Sequence, residues 1–510
     1  MMTLMMFARR RAPARIGLSL LGSVLAAFWV LPVSAEDSRS LLIVVDGLRP
    51  DYITEEHTPN LYELGGRGVF GDTHSAVFPS VTRANSPSIS TGSYPRRHGI
   101  LHNTMWVPEM DEPFSTGRAR SDLRRFGEAI DGDMVTAVSL GEMLEAAGQR
   151  LFVVGSGGSG NTLLQNHLGK GMGIWTARGY FVPSAARDEA VEAVGEPPGE
   201  NPEMTAWAID AYLHKALSDD PPEVTLMWIN EPDSAGHSHG VGAPETLKAV
   251  SHVDEHIGRL LRAHEEHGLT DRINIFVTSD HGFTTSTGRF HVGNTVRDSG
   301  FGEDDVRVVS NMIYLNRDDP ELLEKVVEAL QRDDQIGNVY TRPDRPGSYD
   351  GIVEGTISTA AIQWDHERSA DAIVAPAWTD DVNEFGFAGV TTRRGTATHG
   401  SDSPFDLQIR LVAAGPDIKR GLRSSVPTGN VDFAPTILHL HGIEPDPGMD
   451  GRVLHELLRG GPDPESVQVD EHTRRAAVRF PDGFEYVSEL DMLRVDETIY
   501  LRGARTRRSD

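Results

Sequence analysis

Short apolar runs alternate with amphipathic stretches along most of this chain. Residues 41–45, 151–154, 226–229, 273–278 and 407–413 are dominated by apolar side chains. Runs of that length, with little polar alternation, read as strands buried on both faces, the signature of a parallel sheet. Residues 134–147, 204–216 and 247–264 instead repeat apolar positions at helical spacing. Strands alternating with helices predict an α/β fold, a mostly parallel central sheet flanked by helices. Residues 196–202 and 342–351 are rich in Pro and Gly and read as loops. The second loop lies in a weakly periodic stretch, read as a small inserted cap at about 284–395. Residues 476–480 and 484–488 flank Pro481-Asp482-Gly483, a hairpin signal. The chain is therefore divided into a main domain over 36–460 and a C-terminal β appendage over 461–510.

The first 35 residues carry a different pattern. Arg9, Arg10, Arg11 and Arg15 precede an apolar run over 16–31, and Val33-Ser34-Ala35 offers small residues for a leader peptidase. This is the layout of a signal peptide cleaved after Ala35, and Pro32 ends a run too short to span a membrane comfortably. The implied location is periplasmic or secreted, with no membrane span after cleavage.

Charge and composition narrow the chemistry. The chain holds 48 Lys+Arg against 75 Asp+Glu, a formal charge of −27 that becomes −31 once a leader with four Arg and no acid is removed. Such a surface repels a phosphate backbone, so a nucleic-acid duplex is excluded as partner while a small phosphate ester is not. There is no cysteine, which removes disulfides, thiolate zinc sites, Cys nucleophiles and iron–sulfur clusters together. The sequence carries no signal for an oligomeric state.

Acids follow three of the strand-like runs. The run at 41–45 ends in Asp46, that at 226–229 leads to Asp233, and that at 273–278 leads to Asp280-His281. In open α/β sheets ligands bind beyond the carboxyl ends of strands, so these carboxylates should converge on one edge. Crowded carboxylates need cations, and mixed imidazole and carboxylate donors without thiolate suit zinc.

Six ordered motifs carry a resemblance. They are Leu41-Leu42-Ile43-Val44-Val45-Asp46-Gly47, Phe78-Pro79-Ser80-Val81-Thr82-Arg83-Ala84-Asn85, Thr91-Gly92-Ser93-Tyr94-Pro95-Arg96-Arg97-His98-Gly99-Ile100, Glu231-Pro232-Asp233-Ser234-Ala235-Gly236-His237, Ser279-Asp280-His281-Gly282 and Thr398-His399-Gly400. In this order they resemble the alkaline phosphatase superfamily, on the branch of nucleotide pyrophosphatases/phosphodiesterases and phosphonoacetate hydrolases, over about residues 38 to 455. The resemblance implies two Zn2+ ions. Asp233, His237 and His399 match the ligands of one, and Asp46, Asp280 and His281 those of the other, which also touches the nucleophile Thr82. Asn85 matches an amide that holds a phosphoryl oxygen. The implied activity is hydrolysis of phosphodiesters or nucleotide pyrophosphates through a phospho-threonine, with phosphonoacetate-type or monoester cleavage as the alternative and a non-catalytic binding protein much less favoured.

These roles have physical sense. A threonine hydroxyl is a weak nucleophile near neutral pH until a cation lowers its pKa, and paired metals stabilise both oxygens of an in-line displacement. A helix starting at Thr82 would bring Asn85 to the same end, where first-turn N–H groups attract phosphate. Arg83 departs from the aromatic or apolar residue common after the nucleophile in this branch. It either grips a second phosphoryl oxygen, which favours monoesters or phosphonates, or points to solvent. His239, the i, i+4 pair His252 and His256, and the pair His439 and His441 are read as non-ligands, and the glycines of 155–160 as turn formers because no Gly-Lys-[Ser/Thr] follows.

Overall fold

In the computed structural model ten strands form the central sheet, in the order Leu422–Ser424, Val69–Ser75, Gln408–Ala414, Ile273–Thr278, Arg39–Val45, Val224–Ile229, Leu151–Gly155, Gly173–Thr176, Phe181–Val182, with Thr428–Gly429 also paired to Val69–Ser75. The structure describes residues 38–509 apart from 116–119, 133, 201–202 and 289. The leader expected over 1–35 lies outside the described residues.

Successive side chains of a strand point to opposite faces, and the core follows that rule. Leu42 and Val44 enter one apolar cluster, with Ile89, Leu140 and Ile437 from helices on that face. Leu41, Ile43 and Val45 enter another, with Leu64, Met204, Val253 and Ile257. A strand covered on both faces has no polar side, which is why its sequence is an unbroken apolar run.

The sheet is mixed. Arg39–Val45 runs parallel to both Val224–Ile229 and Ile273–Thr278. The run at 407–413 also forms a strand, Gln408–Ala414, but antiparallel to Ile273–Thr278 and to Val69–Ser75. A short helix, Pro404–Leu407, capped by the Ser403 hydroxyl, hands the chain directly into this strand. The strand thus starts at the edge where its neighbour Ile273–Thr278 ends, and no crossover helix is needed to reverse it. The helix expected over 134–147 is shorter, Leu140–Ala146, because Ser139 and Glu142 form a reciprocal capping box that starts it.

Within the stretch marked as an insertion, a five-stranded sheet takes the order Val306–Val309, Met312–Leu315, Ala372–Pro376, Ile336–Thr341, Ile357–Ser358. The helix Pro320–Arg332 packs on it around Val326, Val327 and Leu330. The last residues fold as three antiparallel strands, Asp470–Arg479, Glu485–Val495 and Thr498–Ser509, and the first two are joined by the Phe480–Phe484 turn. Tyr486 Oη of this sheet donates to Gly337 O (3.0 Å), and Tyr500 Oη donates to Asp432 Oδ2 (2.9 Å).

Candidate active site

Three strand ends build one edge. Val45 is level with Ile229, and Val44 with Thr278, so Asp46, Asp233 and Asp280-His281 leave the sheet side by side. The chain turns at once after Asp46 through Gly47 at φ +73°. A Cβ there would meet the Phe283 ring at 3.0 Å and Asp233 Cα at 3.2 Å, so the position requires glycine. The Gly47 N–H donates to Asp280 Oδ1 (3.1 Å), and the Leu48 N–H donates to Ser279 Oγ (2.9 Å). Trp228 Nε1 donates to Asp46 Oδ2 (2.9 Å). Asp233 begins the helix Asp233–His239, which places His237 one turn on along the same face. His399 enters from the far side, after the two-residue strand Ala397–Thr398 that pairs with Thr284–Ser286.

The structure brings all seven proposed metal-site residues together. Asp233 Oδ1 lies 3.3 Å from His237 Nε2 and 3.5 Å from His399 Nε2. His281 Nε2 lies 3.4 Å from Asp46 Oδ1, 3.1 Å from Asp280 Oδ2 and 3.5 Å from Thr82 Oγ1. Two sets of donor atoms, Asp233/His237/His399 and Asp46/Asp233/His281, each fall within 4.8 Å of one another. Phe283 packs against both imidazoles, with ring centroids 4.9 Å from His237 and 5.3 Å from His399.

The hydrogen bonds fix which ring nitrogen faces the acids. Nδ1 of His237 lies 3.0 Å from Ala397 O, that of His281 3.0 Å from Gly282 O, and that of His399 2.9 Å from Ser80 O. A carbonyl only accepts, so each Nδ1 carries hydrogen and each ring, when neutral, turns an Nε2 lone pair toward a carboxylate. Asp46 Oδ1, Asp233 Oδ1 and Asp280 Oδ2, the atoms facing those lone pairs, are buried and accept no hydrogen bond. Lone pairs facing lone pairs in a buried site call for cations between them. The residues therefore fit divalent metal ions.

Electrostatics say the same. Burial, with Asp280 and Asp233 beside it, pushes the Asp46 carboxyl well above the usual carboxylate range. Burial opposes charge on His281, but Asp280 outweighs it and the ring is raised. Burial together with His281 and His237 drives His399 well below its ordinary value. A cation bound here would remove the need for such proton sharing.

Thr82 opens the helix Thr82–Thr91, so its hydroxyl stands at the positive end of the helix dipole. Asn85 does not present its amide there. It is fully buried, Oδ1 accepts from the Val77 N–H (2.9 Å) and Asn430 Nδ2 (3.1 Å), and Nδ2 donates to Val81 O (3.2 Å). Its amide is consumed in tying the turn before the helix to Asn430, which corrects its assignment as a phosphoryl ligand. The amide at the helix terminus belongs to Asn103, whose Oδ1 accepts from the Arg83 N–H (2.9 Å). Asn103 lies three residues beyond the motif ending at Ile100, and its signal was an amide next to a His-Gly turn.

The other histidines stay apart. His252 and His256 face each other on the long helix Pro244–Glu266 with ring centroids 4.5 Å apart, and His439 packs on His455. His441 is more than a loop residue: its Nε2 pairs with Ser40 Oγ (3.0 Å) at the start of the first strand. Ser156, between Gly155 and Gly157 at the end of Leu151–Gly155, accepts at Oγ from the Asn230 N–H (2.8 Å).

The chain is similar to known proteins over most of its length. The family profile for type I phosphodiesterase / nucleotide pyrophosphatase matches residues 40–402. The ectonucleotide pyrophosphatase/phosphodiesterase family member 7 of Rattus norvegicus is 26% identical over 444 residues, 84% of this chain and 90% of that protein. A bis(5'-adenosyl)-triphosphatase of Bos taurus is 26% identical over 434 residues, 81% of this chain and 80% of that protein. Among solved structures, murine ectonucleotide pyrophosphatase/phosphodiesterase 5 in complex with AMP superposes with a TM-score of 0.60 at 17% identity, covering 82% of this chain and all of that one. That likeness shows a shared α/β fold.

Proposed function

The chain belongs to the type I phosphodiesterase / nucleotide pyrophosphatase family, and on that premise we propose an exported hydrolase of phosphodiesters or nucleotide pyrophosphates that works through a phospho-threonine at Thr82. The observation that carries this reading is the convergence of Asp46, Asp233, His237, Asp280, His281 and His399 beside Thr82, with three buried carboxylate oxygens that accept no hydrogen bond. The relatives' names, a phosphodiesterase and a dinucleoside triphosphatase, support the substrate class.

Asp233, His237 and His399 would hold one Zn2+, and Asp46, Asp280 and His281 the second, next to Thr82. When bound, two such cations supply positive charge to the attacking and leaving oxygens of an in-line displacement. Thr82 Oγ1 attacks phosphorus, forming an Oγ1–P bond as the bond to the leaving oxygen breaks. Water then opens this ester, returning the Thr82 hydroxyl and releasing a phosphate monoester. The positive end of the Thr82 helix and the Asn103 amide face the phosphoryl oxygens where charge accumulates. Residues 284–395 form the cap and 461–510 the appendage in this reading, and the leader carries the chain out of the cytoplasm.

Rates for an aryl phosphodiester, an aryl phosphomonoester and phosphonoacetate on purified, zinc-loaded protein test the proposal. The diester should be cleaved fastest. A monoester or phosphonate rate well above it would point to Arg83 as a phosphate-gripping residue and overturn the substrate class.

A further inference from the structure

We propose that a cavity beside the metal-ligand cluster receives a second anionic group of the substrate, a phosphate or a carboxylate carried beyond the scissile bond, held by His102, Arg297, Arg393 and Arg394. This rests on the hydrolase reading above and adds a substrate requirement to it.

The cavity measures about 680 Å3, within the range of small-molecule sites. It adjoins the reacting centre at two points of the chain. Thr398, which lines it, precedes the proposed ligand His399, and His102, which also lines it, precedes Asn103 at the nucleophile's helix. Arg393 joins the two regions, because its guanidinium lines the cavity and donates to the His399 carbonyl oxygen.

Its charge runs against that of the whole molecule. In a chain of formal charge −27, this wall presents Arg297, Arg393 and Arg394 against the single carboxylate of Glu303. Among the described residues none of the three arginines forms an ion pair with a carboxylate. Clustered guanidinium groups that form no ion pair repel one another and are stabilised by a bound oxyanion, for which their forked donors are suited.

His102 supplies a second, independent observation. It is only 5% exposed. Its Nδ1 accepts from the Thr104 N–H (3.5 Å), which places the ring hydrogen on Nε2, and Nε2 is buried with no hydrogen-bond partner. A buried donor left unsatisfied is costly, and such a group in a cavity wall marks where an acceptor belongs. A phosphate or carboxylate oxygen satisfies it at the position one residue from Asn103.

The test is charge reversal at the two exposed arginines, Arg297→Glu with Arg394→Glu, on the full metal-loaded chain. KM is measured for ATP, for phosphonoacetate and for bis(p-nitrophenyl) phosphate, which carries no second anion. The proposal expects KM for an anion-bearing substrate to rise about tenfold or more relative to the aryl diester. A rise confined to ATP identifies phosphate as the anion, and one confined to phosphonoacetate identifies carboxylate. Equal changes for all three substrates, or none, overturn the proposal. Calorimetric titration with α,β-methylene-ATP and with phosphonoacetate separates the two readings. If no ester is turned over, the hydrolase reading fails, while binding weakened about tenfold by the reversal still supports the anion cavity and unaltered or absent binding overturns it.

Discussion

The imidazole of His281 lies flat against that of His399, with ring centroids 3.4 Å apart and planes 9° apart. The rings come from opposite sides of the cleft, and each directs Nε2 to a different acid: His281 to Asp46 and Asp280, His399 to Asp233. Two rings in that contact cannot both carry charge at modest cost, and accordingly His281 is raised and His399 lowered. In the proposed two-metal reading this stacked pair forms the seam between the sites.

Metal removal should therefore destabilise the protein. Chelation leaves three buried carboxylate oxygens without partners, so Tm should fall by several degrees and recover on adding Zn2+. His237 and His281 hold protons more tightly than ordinary histidines, and metal must displace those protons. Zinc affinity should then weaken as pH falls through neutrality, which a chromophoric chelator can follow. A Tm indifferent to chelator would count against a structural and catalytic metal centre.

Thr82→Ala should lower turnover by roughly three orders of magnitude or more, as loss of a nucleophile does. Metal content and Tm should remain near those of the parent, because the hydroxyl is only half-buried and starts a helix whose backbone bonds it does not make. Quenched-flow phosphate labelling should find a phospho-threonine in the parent and none in the variant.

Much of this site was legible before the fold was known, for a physical reason. A strand buried on both faces must be apolar, and an acid directly after it can only lie at the sheet edge. Asp46, Asp233 and Asp280 were found by that logic, and the ordered motifs added His237, His281, His399 and Thr82. Asn85 matches the motif and its spacing from Thr82 suits one helix end, but neither shows that its amide is drawn inward to Val77, Val81 and Asn430. Asn103 was missed because its place depends on how a separate loop folds back on the Thr82 helix. The direction of Gln408–Ala414 was hidden too, since an apolar run carries no polarity. The anion cavity is assembled from residues between 102 and 398, none of which forms a local pattern.

Exchanging the two amides tests that correction. Asn103→Ala should cut kcat by about a hundredfold or more, the effect of losing one oxyanion donor, with little change in stability. Asn85→Ala should instead cost about 1–3 kcal/mol of stability by orphaning the Val77 N–H and leaving Asn430 Nδ2 only its bond to Ser279 O. Denaturant unfolding and steady-state kinetics on both variants would separate these effects, and the reverse pattern would restore Asn85 as the ligand.

Buried neutral histidines should make the fold acid-sensitive. Burial lowers His74 to about 3, and burial with the neighbouring His366 lowers His98 to about 3, from 6.5. Below about pH 6.5 the unfolded chain binds protons that the native rings refuse, so stability falls with pH until about pH 3. Each ring contributes up to about 1.4 kcal/mol per pH unit across that window. Unfolding measured from about pH 7 down to about pH 4.5 should show a shallower decline in His74→Gln than in the parent. Identical slopes would mean that His74 titrates normally.

The proposed chemistry requires side chains from Asp46 to His399 to hold a pair of divalent ions at Thr82. Anomalous diffraction at the zinc edge from metal-loaded crystals measures this directly. Two peaks about 4 Å apart are expected, one among Asp233, His237 and His399 and the other among Asp46, Asp280 and His281. A single peak, or density away from these side chains, would contradict it.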